Sequence, residues 1–247
     1  MYCKHQKTDE NLTLERQWWF RHWHERRSNA PVNANFASPD LTIGCGVAIF
    51  HVATERVVLC YHSRDRYWFL PKGRRDVGED TARAAEREGF EESGYRNRLL
   101  PLPIRHRQPR AHAPDASAVA RSAFATEPVW TQLIPQSAHT QYVLFWYIAE
   151  TVPPDVEEAV AYVAPSQYPP GLNISERIKM DDGYEPVRHA NTGVDEEEAL
   201  YESYLLPAAE AMSKVRGTIM ADVIRKGWEG IRARQAWETA QQTENGS

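Results

Sequence analysis

The alternation of apolar and polar positions predicts a chain built from both strands and helices. Apolar runs bounded by turn residues predict strands at residues 43–52, 57–63, 67–70, 99–106, 129–134, 142–149 and 185–189. Residues 81–93 have helical spacing, with Asp80 as the N-cap residue and Gly94 just beyond the C-terminus. From residue 194 onward apolar side chains recur at helical spacing, and Pro207 marks the start of a helix or a kink. The mixture predicts an α/β fold with a helical C-terminal region.

Further segments extend or interrupt this pattern. Near the N-terminus Trp19 and Trp23 are four residues apart and share one face of a predicted helix. We interpret this helix as docking on the core; a partner surface or a platform for nucleotide stacking is the alternative. Residues 108–125 are rich in Ala, Ser and Pro, which predicts a mobile insertion. The expected organisation is an N-terminal helical extension with its linker at 1–40, a central domain at 41–206 and a C-terminal helical extension at 207–247.

Composition and charge narrow the classes of function. The 247 residues include 29 Lys and Arg against 34 Asp and Glu, a net charge of −5, so we expect no chain-wide basic surface for nucleic acid. No apolar stretch approaches the roughly 20 residues that a membrane-spanning helix needs, so we expect no membrane partner. Cys3, Cys45 and Cys60 have no CxxC spacing and are interpreted as reduced thiols. We therefore expect a cytoplasmic protein, with the nucleus as the alternative.

Three carboxylates lie on one face of the predicted helix at 81–93. Glu88, Glu91 and Glu92 occupy positions i, i+3 and i+4, where like charges repel each other. A cation would offset this repulsion, and Mg²⁺ and Mn²⁺ prefer oxygen ligands of this kind. For this spacing alone, a solvated acidic face is the alternative.

The residues around this face match a longer pattern. Its fixed positions are Gly73, Glu79, Arg87, Glu88, Glu91, Glu92, Gly94 and Tyr95. This spacing resembles the Nudix box, the signature of the Nudix hydrolases. Gly89 departs from the pattern, because the box has an apolar side chain at this position. Either a neighbouring side chain fills the space or the helix lies closer to the sheet.

The resemblance implies a Nudix α/β/α sandwich with a mixed sheet that hydrolyses a diphosphate linkage with Mg²⁺ or Mn²⁺ as cofactor. Glu88 would be the general base or a metal ligand, Arg87 would orient the carboxylates, and Glu79 would pair with Arg87. The carbonyl of Gly73 would complete a metal shell whose other ligands would be Glu91 and Glu92. Many relatives also use a carboxylate outside the box. The candidates for it are Asp181, Asp182 and Glu185.

Basic residues cluster before and within the box in an otherwise acidic chain. They are Arg64, Arg66, Lys72, Arg74 and Arg75. At the edge of a site for a diphosphate they would hold further phosphates, whereas solvated loop charges are the alternative. Residues 70–73 resemble the approach to the box in Nudix enzymes that act on dinucleoside polyphosphates, diphosphoinositol polyphosphates and capped RNA. The acidic run at 195–198 is interpreted as the first turn of the C-terminal helix.

The sequence therefore predicts a metal-dependent Nudix hydrolase of a phosphate-rich small molecule. A dinucleoside polyphosphate, such as a diadenosine polyphosphate, or a diphosphoinositol polyphosphate is the favoured substrate. The alternative within enzymes is mRNA decapping, which needs a basic track for RNA that the acidic chain does not show outside the box. The alternative from another class is a Nudix-fold sensor that binds a nucleotide without turnover. The intact set of Glu88, Glu91 and Glu92 argues against a sensor. The sequence leaves the oligomeric state open.

Overall fold

The computed structural model describes residues 28–109, 123–159 and 167–245. The predicted N-terminal helix and most of the predicted insertion at 108–125 lie outside these residues, and both stay predictions. Contacts between residues divide the chain into Met1–Val32 and Asn33–Ser247, and every element below belongs to the second unit. No helix in the described part of the chain is long and apolar enough to cross a membrane.

The described residues form one mixed sheet with helices around it. The strands are β1 (Leu41–His51), β2 (Arg56–His62), β3 (Tyr67–Phe69), β4 (Lys72–Arg74), β5 (Asn97–Leu99), β6 (Trp130–Pro135), β7 (Gln141–Thr151) and β8 (Tyr201–Pro207). The helices are α1 (Thr81–Ser93), α2 (Pro154–Ala159), α3 (Ile174–Met180), α4 (Ala208–Lys214) and α5 (Ile219–Asn245).

Strand β1 lies at the centre of the sheet. It runs parallel to β7, from the pair Leu41 and Gln141 to the pair Phe50 and Glu150, and antiparallel to β2 and β4. Strand β2 also pairs with β3 and β8, whereas β7 also pairs with β5 and β6. Because β1 and β7 are central, helices cover both of their faces, which explains their nearly continuous apolar sequences.

Successive side chains of β1 face opposite layers of the molecule. Cys45, Val47 and Ile49 form one core cluster with Ala84 and Ala85 of α1. On the other side, Phe50 of β1 stacks on Trp228 of α5, with ring centroids 6.3 Å apart. The α/β fold with a mixed sheet is therefore confirmed. Cys45 and Cys60 are buried free thiols.

Helix α1 begins and ends where the sequence predicts. Asp80 accepts a hydrogen bond from the backbone N–H of Arg83 at 2.9 Å, and Gly94 has the left-handed φ of 75° that favours glycine. Gly89 faces the sheet, where a Cβ atom would lie 2.8 Å from a methyl carbon of Val47 and 2.7 Å from the side-chain nitrogen of Asn97. Of the two alternatives for Gly89, the observed one is that neighbouring side chains, those of Val47 and Asn97, fill the space.

Three expectations about secondary structure are wrong. The strand expected at 99–106 is instead β5, which ends at Leu99; Pro101 and Pro103 have no N–H to donate, and only an isolated bridge joins Leu102 to Ala125. At 185–189 the structure has an isolated bridge at Arg188 instead of a strand. Residues 201–207 form β8 and not helix, because they pair with all of β2.

The acidic run at 195–198 does not open a helix. It leads into a 3-10 turn at Glu198–Leu200 and from there into β8, and the C-terminal helices begin only at Ala208. The expected first turn is therefore wrong, and the carboxylates of this run are available for other contacts. Helices α2 and α3 lie in a region from which the sequence predicts no helix.

Candidate active site

Arg87 lies on α1, the helix that carries the box and is called the box helix below. It connects this helix to β4 and to the loop between them. Its Nε and Nη2 donate to the two carboxylate oxygens of Glu79 at 3.0 and 2.9 Å, which makes a bidentate pair. Its Nη1 donates to Glu88 at 2.9 Å and to Glu91 at 2.7 Å. Its Nη2 also donates to the carbonyl of Arg74 at 2.9 Å. One guanidinium thus orients three carboxylates, which is the arrangement that the resemblance implies for Arg87.

Glu79 is fixed from both sides of its loop. Its carboxylate accepts a hydrogen bond from the backbone N–H of Asp76 at 3.1 Å, and its carbonyl accepts one from Arg75 at 2.5 Å. Burial raises the pKa of Glu79, but the hydrogen bonds from Arg87 and Asp76 outweigh burial and lower it below the ordinary value. Glu79 is therefore a charged anchor for Arg87.

Glu88 and Glu92 meet a third carboxylate from a distant part of the chain. One oxygen each of Glu88, Glu92 and Glu198 lie within 4.8 Å of one another. Glu88 is 5% exposed and Glu92 is 8% exposed, so two of the three carboxylates are buried. Glu198 reaches them because β8, which follows it, pairs with β2 beside the box helix.

The ionisation of these carboxylates is perturbed. Burial raises the pKa of Glu88 to about 7 and the pKa of Glu92 to about 8. Arg87 opposes the shift at Glu88, Lys72 opposes it at Glu92, and the charge of Glu198 adds to both shifts. The backbone N–H of Lys72 also donates to Glu92 at 2.7 Å. Carboxylates that are buried side by side in this way favour a cation between them.

Two glycines make room for the side chains of the site. A Cβ atom on Gly73 would collide with the carboxylate of Glu88, and one on Gly44 would collide with the hydroxyl of Tyr142. That hydroxyl donates a hydrogen bond to the carbonyl of Gly73 at 3.1 Å. Gly73, whose carbonyl the resemblance implies as a metal ligand, therefore lies against the carboxylate of Glu88, and Tyr142 holds this carbonyl.

The predicted basic residues divide into two groups. Lys72 and Arg74 are two residues apart on β4 and share a face of that strand, next to the box. Arg75 donates a hydrogen bond to the carbonyl of Glu79. Arg64, by contrast, pairs with Glu197, whose two carboxylate oxygens accept from the one nitrogen Nη2 at 3.0 and 2.9 Å. Arg66 lies in the same turn as Arg64 with a left-handed φ of 59°.

The structure brings none of the three candidates for the carboxylate outside the box into the cluster. Asp181 is buried and pairs with Arg177 at 2.8 Å and with His51 at 3.2 Å. Glu185 forms a bidentate pair with Arg56, and Asp182 is exposed after α3. Among the described residues, the carboxylate from outside the box that joins Glu88 and Glu92 is Glu198.

Sequence reasoning missed Glu198 and Tyr142. In the structure Tyr201–Pro207 alternates between half-buried and exposed positions, but its sequence does not alternate between apolar and polar residues, so no local signal places Glu198 before a strand. For Tyr142 no local signal exists, because its contact with Gly73 depends on the order of strands in the sheet. Glu91, predicted as a metal ligand, lies beside the cluster and is held by Arg87.

The box helix packs on a mixed sheet, and Arg87 orients its carboxylates. This arrangement is typical of a hydrolase of phosphate anhydrides. The model of the family described as the NUDIX domain matches residues 42–177, more than half of the chain. The chain belongs to the Nudix family and is a Nudix pyrophosphohydrolase.

Solved structures of the same family are similar to this chain. A NUDIX family hydrolase from Clostridium perfringens is 15% identical, with a TM-score of 0.39 over 78% of this chain and 97% of that one. An Ap4A hydrolase from C. elegans is 15% identical, with a TM-score of 0.38 over 75% of this chain and 93% of that one. A MutT NUDIX hydrolase from Burkholderia pseudomallei is 24% identical, with a TM-score of 0.29 over 57% of this chain and 96% of that one.

Proposed function

We propose that this chain hydrolyses a diphosphate linkage in a phosphate-rich small molecule, with Mg²⁺ or Mn²⁺ held by Glu88, Glu92 and Glu198. The observation that carries the proposal is the convergence of these three carboxylates within 4.8 Å. Two segments that are far apart in sequence supply them, and two of the three are buried. Such a convergence is costly without a cation, because buried like charges destabilise each other.

The chemistry of the donors fits a hard divalent cation. The group contains carboxylate oxygens, which suit Mg²⁺ and Mn²⁺, and none of its three members is a histidine or cysteine, which zinc prefers. Gly73, whose carbonyl oxygen is a further candidate ligand, lies beside Glu88. A bound divalent cation supplies Lewis acidity and the positive charge that lets a diphosphate approach these carboxylates.

Residues of the chain would supply the general base, hold it in place and bind the phosphates of the substrate. Glu88, held by Arg87 beside the cation, is also the candidate general base that takes a proton from the attacking water. Arg87 holds Glu88 in place, and Glu79 in turn holds Arg87. Lys72 and Arg74, on one face of β4, would meet phosphates of the substrate beyond the bond that breaks.

The favoured substrates are a dinucleoside polyphosphate or a diphosphoinositol polyphosphate. The resemblance of residues 70–73 to the approach in enzymes for such substrates supports this choice, as do the basic residues on β4. Decapping of mRNA and a non-catalytic nucleotide sensor remain the alternatives. A panel of dinucleoside polyphosphates, diphosphoinositols, nucleotide sugars and capped RNA, each tested with Mg²⁺ or Mn²⁺, separates these possibilities. Tight binding of a nucleotide without turnover of any compound would favour the sensor.

A pair of variants tests the third carboxylate. We expect Glu198→Gln to lower kcat/KM by at least about 10-fold, the lower end of the effect of removing a group that tunes a metal site. Glu185→Gln is the matched control, because Glu185 precedes Glu198 in the same stretch of chain and is also a carboxylate. Its exposed side chain pairs with Arg56 and lies outside the cluster. An unchanged rate for Glu198→Gln, or an equal loss for Glu185→Gln, would refute the assignment.

A further inference from the structure

Two residues at the end of β2 hold the carboxylate that directly precedes Glu198. His62 Nε2 lies 2.8 Å from Glu197 Oε1, and Arg64 Nη2 donates to both oxygens of Glu197 at 3.0 and 2.9 Å. The side chain of His62 is fully buried, whereas those of Arg64 and Glu197 are about half exposed. An exposed carboxylate of the 195–198 run is thus tied to a buried ring.

The second ring nitrogen of His62 fixes the direction of its hydrogen bond. His62 Nδ1 accepts a hydrogen bond from the backbone N–H of Asp65 at 3.0 Å. In the neutral ring the proton is therefore on Nε2, which donates to Glu197. His62, Asp65 and Glu197 lie close enough together to hold a metal ion, but a protonated Nε2 has no lone pair for one. This cluster is therefore better suited to holding Glu197 than to binding a cation.

A second anchor lies just beyond Glu198. The backbone N–H and the hydroxyl of Ser63 both donate to the carbonyl of Leu200, at 3.1 and 2.8 Å. The pairing of His62 with Tyr201 then starts the ladder between β2 and β8. The segment from Glu197 to Tyr201 is therefore fixed to residues 62–64 on both sides of Glu198.

Glu198 itself is oriented by its own loop. Its Oε2 accepts a hydrogen bond from the backbone N–H of Val194 at 2.6 Å. Because neighbouring Cα atoms are only about 3.8 Å apart, a displacement of Glu197 also displaces Glu198. Asp195 accepts hydrogen bonds from the backbone N–H groups of Glu197 and Glu198, both at 2.9 Å. The contacts of His62 and Arg64 with Glu197 add to this anchoring of the third carboxylate.

We propose that His62 and Arg64 are positioning residues of the active site, which hold Glu197 so that Glu198 reaches Glu88 and Glu92. The proposal rests on the proposed function, since it assumes that the three carboxylates bind a cation. It gives Arg64 a different role from the binding of substrate phosphate that the sequence predicts. The two roles make opposite predictions, because a phosphate ligand affects KM for the substrate and a positioning residue affects the binding of the cation.

The test is a calorimetric titration of the full chain with Mn²⁺ alone, together with hydrolysis rates at varied Mn²⁺ and substrate. Arg64→Gln removes the two hydrogen bonds from Nη2 to Glu197. His62→Phe removes the ring nitrogen that donates to Glu197 but keeps a ring next to Tyr67. His62→Gln restores a donor to Glu197 and serves as the rescue. Arg56→Gln is the matched control, because Arg56 forms a bidentate pair with Glu185 at the opposite end of the same strand.

We expect Arg64→Gln and His62→Phe to weaken the binding of Mn²⁺ by about 10-fold, the lower end of the effect of removing a partner of a metal ligand. The Mn²⁺ concentration for half-maximal rate should rise by a similar factor, and KM for the substrate at saturating Mn²⁺ should stay unchanged. His62→Gln should bind Mn²⁺ nearly as the wild type does, and Arg56→Gln should bind it equally well.

Several results would overturn the proposal. A raised KM for the substrate with unchanged Mn²⁺ binding in Arg64→Gln would make Arg64 a phosphate ligand. Equal weakening in Arg56→Gln would show a loss of stability with no specific effect on the site. If Glu198→Gln binds Mn²⁺ normally while Glu88→Gln loses activity, the positioning role fails but the hydrolase function stands. A wild-type chain that neither binds Mn²⁺ nor hydrolyses any diphosphate would instead refute the proposed function.

Discussion

Gly89→Ala tests whether the side chains of Val47 and Asn97 leave room for a side chain at this position of α1. An added Cβ atom would lie 2.8 Å from a methyl carbon of Val47 and 2.7 Å from the side-chain nitrogen of Asn97. Asn97 is buried, and that nitrogen donates to the carbonyls of Glu86 and Tyr95 at 2.9 and 3.3 Å. The new methyl group therefore displaces a buried donor from its partners.

The magnitude follows from opposing contributions to the free energy of unfolding. Replacing a glycine within a helix by alanine stabilises by about 1 kcal/mol. Overpacking of a well-packed core costs about 1–3 kcal/mol, and a buried donor left without its acceptor costs about 1–3 kcal/mol more. The costs exceed the gain, and we expect Gly89→Ala to lower the free energy of unfolding by about 1–5 kcal/mol.

Urea unfolding followed by circular dichroism measures this loss. Gly230→Ala in α5 is the control, because its Cβ atom would meet the end of the flexible Leu102 side chain at 3.0 Å. We expect its free energy of unfolding to stay within about 1 kcal/mol of the wild type, since the helical gain offsets a small clash. A Gly89→Ala chain as stable as the wild type, or more stable, would refute the packing argument.

Three further predictions concern the site. Burial raises the pKa of Glu92 from 4.5 to about 8, so the folded state binds this proton more tightly than the unfolded state. Without metal, the Tm should therefore fall as the pH rises from about 4.5 to about 8. Mg²⁺ should raise the Tm more near pH 8 than near pH 5, and an effect of Mg²⁺ that does not depend on pH would contradict this. Arg87→Lys loses the bidentate pair with Glu79, and kcat/KM should fall at least about 10-fold, whereas an unchanged value would show that a point charge suffices. Tyr142→Phe removes the hydroxyl that donates to the carbonyl of Gly73, and urea unfolding should show a loss of about 1 kcal/mol, against no change if water replaces the hydroxyl.

The box helix was predictable from the sequence because its signals are local. Asp80 caps its first turn and Gly94 ends it with a left-handed residue, and both act within a few residues of the helix. The i, i+3 and i+4 spacing likewise places Glu88, Glu91 and Glu92 on one face. The parallel pair of β1 and β7 was less accessible, because nothing local determines which apolar strands become neighbours.

The end of the chain shows why a local pattern can mislead. Apolar residues at Tyr201–Pro207 continue the spacing of the helices that follow, so the pattern predicts helix there. Their partner is β2, more than 100 residues earlier in the chain, and its hydrogen bonds decide in favour of a strand. The proposed role of Glu198 depends on this long-range pairing, and no property of the acidic run in the sequence distinguishes Glu198 from its neighbours.

Asp181 and Glu185 show that a plausible position in the sequence does not identify a carboxylate of the site. Both are carboxylates in a loop at a plausible distance from the box in sequence. The structure gives each of them an arginine, Arg177 for Asp181 and Arg56 for Glu185, and Asp181 is buried in its pair. The pair of Asp181 with Arg177 is a local i,i+4 contact that the spacing could have indicated, whereas the pair of Glu185 with Arg56 joins residues 129 positions apart and is set by tertiary structure.

The most direct test of the central claim is the release of products from a dinucleoside polyphosphate, measured by chromatography for the wild type and for Glu88→Gln. We expect nucleotide products to appear with Mg²⁺ or Mn²⁺ and not with a chelator. We also expect Glu88→Gln to lower the rate by about 100-fold or more, within the range for the loss of a general base. Equal rates for the two proteins, or full activity in the chelator, would contradict the assignment of catalysis to the carboxylates of the box helix.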